Sequence, residues 1–547
     1  KRQLLGGNPL TKKSFFQGAA ILAIAGIICK VLGAIYRIPL GNILGSEGMG
    51  NYQMAYPAFN LLAVISTSGL PTAVSKLVSA KTAMGNPSGA KAIFRCALIL
   101  ISILGALSAC ALFLFSGPVA RLIGMSSASI PIKALAPSLF LIAICAAIRG
   151  YFQGLQQMTP TACSQVTEQA VKLGGGIWIA GLMAPMGPEY GAAGALLGVT
   201  LSELAGLLVM VISYFRYGRT QAGRSLAPAP ATSPLREILP MAVPITLGAC
   251  VVPIVNLIDS SVVIRVLTSI GCSSSEASSL YGILTGFVSP LISMPGVLSV
   301  SIGISLVPAI SAAAAKNRRE SVVNQSALGL RMSVLLGLPF SVLFYALAEP
   351  MLSLLYSSLS AEEMSIAASL LRLMSPSILL LSMIQISTGI LQGLSRSSLP
   401  VVSLVFGSAI KIFVGIWLIQ VPAINIWGAA FSSVLCYALI AAIDVAMALK
   451  FSRARPPLGS FLLKPMLASA AAAGAALALQ GCLSPMGRLS GGISMLAGLL
   501  VYAILLLLTG AIDDRDLAIL PRGERLSPIL SKMRIGGRKH DYRHRHR

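Results

Sequence analysis

The chain has 547 residues, of which 55% are hydrophobic and 11% charged, and its formal net charge is +24. Soluble domains carry about 25% charged residues, so this composition excludes a soluble globular protein and indicates an integral membrane protein. Basic loops on the inner face of an anionic membrane explain the net charge, and no nucleic-acid-binding motif accompanies it.

Fourteen apolar segments follow one another along the chain, and a bilayer-spanning helix needs about 20 such residues. We therefore predict an all-α integral membrane protein with about 14 transmembrane helices. The first segment is longer than a signal-peptide core of roughly 7–15 residues, so we expect no cleaved signal. The segments are 15–40, 52–80, 91–116, 130–154, 160–185, 190–217, 236–267, 280–314, 322–347, 364–394, 399–420, 425–450, 460–480 and 490–512.

The charges of the connecting segments predict the orientation. Basic residues are concentrated in the even-numbered connections, for example Lys81, Arg224 and Arg319, whereas acidic residues such as Glu47 and Glu189 lie in the odd-numbered ones. Arg121 and Arg488 are exceptions. By the positive-inside rule, this bias predicts a multi-pass protein of the cytoplasmic membrane with both termini in the cytoplasm.

An internal duplication organises the chain. The sequence GYFQGLQ at 150–156 returns as GILQGLS at 389–395, and the same offset carries Lys172 onto Lys411. Each half holds six helices, an even number, so both have one orientation and are related by a pseudo-two-fold axis along the membrane normal. The motif itself is interpreted as a tight glycine-containing turn. The predicted domains are an N-terminal lobe (1–217), a cytoplasmic linker (218–235), a C-terminal lobe (236–452), helices 13 and 14 (453–512) and a basic cytoplasmic tail (513–547).

Ionisable side chains inside apolar segments mark candidate sites, because each costs about 2.5–3.5 kcal/mol on insertion scales. Glu168 and Asp259 are candidates for cation coupling or ion pairs, and the i, i+4 spacing of Glu168 and Lys172 allows them to pair. Arg149 and Asp444 are interpreted instead as interfacial or structural residues. A cavity in which cations outnumber carboxylates suits an anionic substrate such as a pyrophosphate. The candidate substrate-binding residues are Lys30, Arg37, Lys172, Arg265 and Lys411.

The sequence contains no nucleotide-binding fingerprint, metal-binding motif or nucleophile–base pair, so we expect no cofactor, no metal and no enzymatic activity. The nine cysteines are scattered, mostly inside apolar runs, and are interpreted as small hydrophobic residues. The run Gly174–Gly176 is not followed by Lys-Ser/Thr, and helix packing or kinking is the interpretation that we favour.

Several motifs resemble a known family. Two six-helix lobes with two further helices resemble the multidrug/oligosaccharidyl-lipid/polysaccharide exporter superfamily. Its polysaccharide-biosynthesis branch, typified by the stage V sporulation protein B family, is similar in KVLG at 30–33, YRIPL at 36–40, LGSEGMGNYQ at 44–53 and SGLPTAVSK at 68–76. The resemblance covers about residues 12–510 and implies a V-shaped flippase. Such a flippase would move an undecaprenyl-pyrophosphate-linked saccharide to the outer leaflet, for cell-wall, spore-cortex or surface polysaccharide.

A more distant resemblance is to the MviN/MurJ lipid II flippases. It places Lys30 where that family carries a functional arginine in its first helix. The second helix has NLLAV at 60–64 where that family has a pair of arginines after the leucines. This departure favours a related lipid-linked saccharide over lipid II itself.

Three functional hypotheses follow from the sequence. The leading one is a flippase that works by alternating access, driven by an electrochemical gradient or membrane potential, with a lipid-linked saccharide and membrane lipids as its partners. The second is a cation-coupled multidrug exporter of the same superfamily, which would use Asp259 and Glu168. The third is a scaffold that recruits cell-wall synthesis enzymes through the tail at 513–547, whose simplest role is to anchor the chain on anionic lipid.

Overall fold

The structure, a computed structural model, describes residues 9–220, 234–454 and 459–509. Every regular element in these ranges is a helix, and all fourteen predicted segments fall on helices as far as they are described. Twelve helices of the described chain are long and apolar enough to cross a membrane, one of them being the 60-residue run Ile24–Ala83. The all-α prediction is confirmed, and the count of about fourteen spans stays a prediction. Most of the predicted linker and the whole basic tail lie outside the described residues.

The helices are numbered in chain order. They are α1 (Pro9–Thr67), α2 (Gly69–Ala83), α3 (Pro87–Leu114), α4 (Ser116–Ile123), α5 (Ser129–Leu135), α6 (Ser138–Gly154), α7 (Thr159–Val171), α8 (Ile177–Met183), α9 (Pro188–Thr220), α10 (Pro234–Ser269), α11 (Ser274–Gly282), α12 (Ser289–Ser293), α13 (Gly296–Ala315), α14 (Arg319–Ala346), α15 (Ala348–Leu355), α16 (Ala361–Met374), α17 (Pro376–Gly393), α18 (Ser398–Ile419), α19 (Ile426–Ser452), α20 (Lys464–Leu483) and α21 (Leu489–Leu508). Segments of π-helix lie at Lys172–Gly176, Ile283–Val288 and Gly459–Leu463.

Helix α1 is broken at Gly45, which has φ 64° and ψ −172°. Only glycine adopts this conformation at little cost, so the residue divides the run into two arms that correspond to the first two predicted spans. The π-helical segment Lys172–Gly176 interrupts the fifth span in a comparable way. Since π-helical turns mark local distortions of a helix, it supports the interpretation of Gly174–Gly176 as a kink.

The chain contacts divide into two compact units. The first is Lys1–Pro290 with Ile416–Ile426, and the second is Leu291–Gly415 with Trp427–Arg547. The border at Pro290 differs from the predicted linker, because α10 packs on α1 and α2. The predicted lobe boundaries and the pseudo-two-fold axis therefore stay predictions.

Inside the first unit, α10 meets α2 through a glycine and an ion pair. A Cβ atom on Gly69 would overlap the carbonyl oxygen of Ala242, so the two helices approach there as closely as backbones allow. Further along the same helices, Lys81 Nζ lies 3.1 Å from Glu237 Oε1, with both side chains mostly buried. The packing of α10 on α2 thus combines a tight apolar contact with a partly screened charge pair.

The repeated motif is helical over its first five residues and ends in a turn, so its glycines lie in the helix and not in the predicted turn. Gly150 and Gly154 lie in the last turns of α6. A Cβ on Gly150 would come 2.7 Å from the carbonyl oxygen of Pro71, and a Cβ on Gly389 would overlap that of Gly303. In both copies, small residues four apart let one helix approach its neighbour's backbone, as small-xxx-small motifs do in membranes.

The turn that ends the motif uses non-glycine residues in the left-handed region. Gln156 has φ 58° and Ser395 has φ 60°. The Gln157 amide donates to Phe152 O at 2.9 Å, and the Arg396 amide donates to Leu391 O at 2.8 Å. Both copies therefore end their helix with the same Schellman-type cap, which supports the duplication at the level of hydrogen bonds.

Candidate functional site

A buried ion pair joins α6 to α7 in the first unit. Arg149 Nη2 donates to Glu168 Oε1 and, at 2.8 Å, to Ser164 Oγ. The Ser164 hydroxyl is also 3.1 Å from Glu168 Oε1, and Glu168 is only 7% exposed. The expected pairing of Glu168 with Lys172 is wrong, because the helix rotation turns Glu168 towards α6. The contact fits the interpretation of Arg149 as a structural residue.

Helix α9 covers this ion pair with a glycine. A Cβ atom on Gly206 would overlap Glu168 Oε1, and Ser164 Oγ lies 3.1 Å from the Gly206 carbonyl oxygen. Any side chain at position 206 would therefore displace α9 or the carboxylate. The glycine explains how a carboxylate is enclosed between three helices.

A second carboxylate, that of Glu203, lies on the face of α9 that carries Gly206. Glu203 precedes Gly206 by one helical turn, and its charge interacts with Glu168, Arg149 and Lys172. Its Oε2 atom is buried and has no hydrogen-bond partner. Arg149 Nε is likewise buried without a hydrogen-bond partner, so the group of Arg149, Glu168 and Glu203 holds two unsatisfied polar atoms. The sequence analysis did not select Glu203, although a carboxylate in an apolar segment was the available signal.

Lys172 contacts Tyr36 of α1 and does not contact Glu168. Its ammonium nitrogen lies 5.0 Å from the ring centroid of Tyr36, which is 2% exposed, within the range of a cation–π interaction. Gly176 makes the approach possible, since a Cβ there would come 3.0 Å from the Tyr36 ring. On the other side, a Cβ on Gly198 would overlap the Gly176 backbone. The π-helical segment is thus packed tightly between α1 and α9.

Lys30 and Arg37 lie on one face of α1. Their spacing with Gly33 is i, i+3 and i+7, which places the three residues in one stripe. Both cationic side chains are exposed, and a Cβ on Gly33 would meet Gln169 Oε1 of α7 at 3.7 Å. The stripe therefore borders the α7 helix that carries Glu168. Lys172 reaches the same helix at Tyr36, the residue before Arg37, and a shared basic site of Lys30, Arg37 and Lys172 stays a prediction.

The other predicted residues lie elsewhere. The Arg265 guanidinium donates to the Leu122 carbonyl oxygen in the last turn of α4, where a cation stabilises free carbonyls. Asp259 interacts electrostatically with Tyr281 of α11. Lys411 is half-buried on α18, in the second unit. Roles in substrate binding or coupling for these three residues stay predictions.

Solved structures with this fold are transporters. A lipid II flippase MurJ in an inward closed conformation matches with a TM-score of 0.66 and 16% identity, over 89% of this chain and 98% of that one. An inward-facing multidrug resistance MATE family transporter of the MOP superfamily matches with a TM-score of 0.61 and 16% identity, over 78% and 95%. The chain therefore shares its fold with these two multi-pass membrane proteins.

The family follows from sequence. The family model described as polysaccharide biosynthesis protein matches residues 15–314. Stage V sporulation protein B of Bacillus subtilis (strain 168) is 30% identical over 80% of this chain and 84% of its own length. Lipid II flippase MurJ of the same organism is 27% identical over 74% and 77%. The chain therefore belongs to the polysaccharide biosynthesis protein family, which confirms the resemblance found in its sequence.

Proposed function

We propose that the protein is a flippase that moves an undecaprenyl-(pyro)phosphate-linked oligosaccharide across the cytoplasmic membrane by alternating access. The product would serve cell-wall, spore-cortex or surface-polysaccharide synthesis, and the protein would carry out no covalent chemistry itself. The observation that supports this most is the cationic stripe of Lys30 and Arg37 beside α7, in a chain whose relatives include a lipid II flippase.

The charges of the stripe match the invariant part of such a substrate. A pyrophosphate carries several anionic oxygens, which an arginine can bind in a bidentate manner and a lysine as a point charge. Lys30 and Arg37 are exposed, whereas Lys172 is held over Tyr36 and would reach a substrate only by leaving that ring. We assign first contact to Lys30 and Arg37.

The buried group of Arg149, Glu168 and Glu203 supplies a candidate coupling element. Glu168 and Glu203 interact with the cations of Arg149 and Lys172, and a proton or small cation bound at Glu203 would shift this balance of charge. The unsatisfied Oε2 atom of Glu203 is where such a charge would bind. Binding and release there would change the packing of α9 on α7 through Gly206. The orientation with both termini in the cytoplasm is part of the same proposal.

The test is lipid flipping by the purified protein in proteoliposomes. The probe is an undecaprenyl-pyrophosphate disaccharide with a fluorophore that an impermeant reductant quenches, so transfer between leaflets is read as the loss of protected fluorescence. Lys30→Ala and Arg37→Ala should each lower the initial rate at least tenfold. Arg488→Ala, which removes an exposed arginine at the start of α21, serves as the matched control. Wild-type rates in both stripe variants would contradict the proposal.

A cation-coupled multidrug exporter is the second candidate. It is favoured by the match of a family model described as MatE to residues 244–417 and by the two carboxylates near Arg149. Expression should then protect cells against toxic organic cations, and Glu203→Gln should abolish the protection. Protection in that form, together with no flipping of the lipid probe, would replace the flippase proposal.

A further inference from the structure

A cavity of about 300 Å³ opens in the second unit where the ends of four helices meet. It is lined by residues from the end of α13, the start of α14, the end of α17 and the end of α19. Those that matter for its chemistry are Asn317, Arg319, Leu394, Phe451, Ser452 and Arg453. This volume is at the lower end of the roughly 300–1,000 Å³ of ligand pockets, so the cavity suits a small head group and not an oligosaccharide.

Two cationic side chains line the cavity, and two more contact the Phe451 ring in its wall. Arg319 and Arg453 form part of its wall. The Arg396 guanidinium lies 4.7 Å from the centroid of the Phe451 ring, and Lys450 Nζ lies 6.0 Å from the same centroid. The ring in the cavity wall therefore holds two further cations beside it by cation–π contact. Glu320, which follows Arg319 and is exposed, is the carboxylate next to this group in sequence.

The backbone adds donors to these charges. Helix α14 begins at Arg319, and no side chain caps its amino end. The amide groups of a first helical turn lack partners inside the helix and favour an anion. The cavity wall is fixed by a hydrogen bond from the Ala454 amide to the Oγ atom of Ser452, which is 3% exposed. A long helix thus presents its positive end at a cation-lined cavity.

The duplication supplies an internal comparison. Asn317 donates its amide to Ala314 O at 3.0 Å, just as Gly85 does to Thr82 O at 3.0 Å, so the ends of α13 and α2 are equivalent. In this register, Arg319 corresponds to Pro87. By the register of the repeated motif, Arg396 corresponds to Gln157.

The aromatic residue of the cavity wall, Phe451, also has a different environment from its counterpart in the first copy. Phe451 corresponds to Tyr214, in the register that pairs Gly191 with Gly428. In the first unit, the Tyr214 ring is packed 5.3 Å from Phe94 and 6.0 Å from Tyr151. There the aromatic residue belongs to an apolar cluster, and the corresponding positions 87 and 157 are not cationic. The arginines at 319 and 396 are therefore particular to the second copy and are not part of the repeated fold.

We propose that this cavity binds the phosphate of an anionic ligand, with a phosphatidylglycerol-type lipid head group as its source at the membrane surface. Basic pockets between membrane helices bind anionic head groups by this combination of charge and shape. Arg319 and Arg453 would contact the phosphate directly, and Phe451 would hold Arg396 and Lys450 in place around it. The proposal concerns a lipid bound at a fixed site and does not depend on the transported substrate.

The experiment follows thermal unfolding of the full-length protein in detergent during titration with three compounds. These are dioctanoyl phosphatidylglycerol, dioctanoyl phosphatidylcholine and inorganic phosphate. Phosphatidylglycerol should raise Tm, and phosphatidylcholine should not. In the double variant Arg319→Gln/Arg453→Gln, the half-saturating phosphatidylglycerol concentration should rise at least tenfold. Arg488→Gln, which removes one exposed arginine away from the cavity, should leave it unchanged. If the double variant does not fold, the exposed Arg396→Gln is measured in the same way.

The three titrations separate the possible sources. An equal effect of both lipids in the wild type, or identical titrations of wild type and double variant, would overturn the proposal. If inorganic phosphate at millimolar concentration reproduces the full shift and the double variant loses it, the phosphate site is supported and its ligand is a soluble phosphate. A shift with phosphatidylglycerol alone assigns the site to the lipid.

Discussion

Replacing Arg149 with methionine tests the ion pair inside the first unit. The change removes the guanidinium and keeps much of the side-chain volume, so Glu168 would stay enclosed by α6, α7 and α9 without its cation. Ser164 would still contact the carboxylate at 3.1 Å, which is a much weaker compensation than a charge. The substitution therefore isolates the effect of an unpaired carboxylate inside the protein.

The burial of the ion pair sets the expected loss of stability in Arg149→Met. The side chains of Arg149 and Glu168 are 17% and 9% exposed, so solvent screens the pair only slightly. Removing one partner of a buried pair destabilises by about 3–5 kcal/mol, because the remaining charge keeps its desolvation penalty. Glu168→Gln in the same chain should recover much of that loss, since position 168 then carries no charge. A coupling energy of about 1–3 kcal/mol between the two positions is expected.

The assay is a double-mutant cycle on unfolding of the detergent-solubilised protein. The four species are the wild type, the two single variants and the double variant. A second cycle with Lys172→Met and Glu168→Gln is the control, and its effects should be additive because Lys172 lies over Tyr36. Additive effects of Arg149 and Glu168, or strong coupling of Lys172 with Glu168, would refute the pairing that the structure shows.

Two further predictions concern helix contacts. Gly206→Ala should destabilise by about 1–3 kcal/mol, because the added methyl overlaps Glu168, as in other overpacked cores. Gly474→Ala is the control, because a Cβ there meets nothing within 4 Å, and it should be neutral or gain up to about 1 kcal/mol of stability from helix propensity. Thermal unfolding compares Gly206→Ala with Gly474→Ala, and equal effects would contradict the overlap of position 206 with Glu168. Lys81→Glu should lower stability by about 1 kcal/mol at most, since the pair is partly exposed, and adding Glu237→Lys should restore it. A doubly reversed variant that is less stable than either single variant would argue against this contact.

The sequence alone determined the class of the protein, because hydropathy, charge bias and family motifs are read directly from the residues and do not depend on contacts between helices. It predicted helices in all fourteen apolar segments, and it found the duplication whose helix caps match at Gln156 and Ser395. It also selected Lys30 and Arg37, which the structure places on one exposed face of α1. The helix predictions depend on spacing within one helix, where geometry follows directly from residue number, whereas the substrate-binding role of Lys30 and Arg37 stays a prediction.

Partners across helices were decided only by the tertiary structure. The i, i+4 rule paired Glu168 with Lys172, whereas the fold turns Glu168 to Arg149 and Lys172 to Tyr36. The π-helical segment that begins at Lys172 changes the rotation of the helix, and Gly206 brings α9 onto the carboxylate. Such rotations and approach distances depend on where small residues of separate helices meet, and a single sequence does not contain that information.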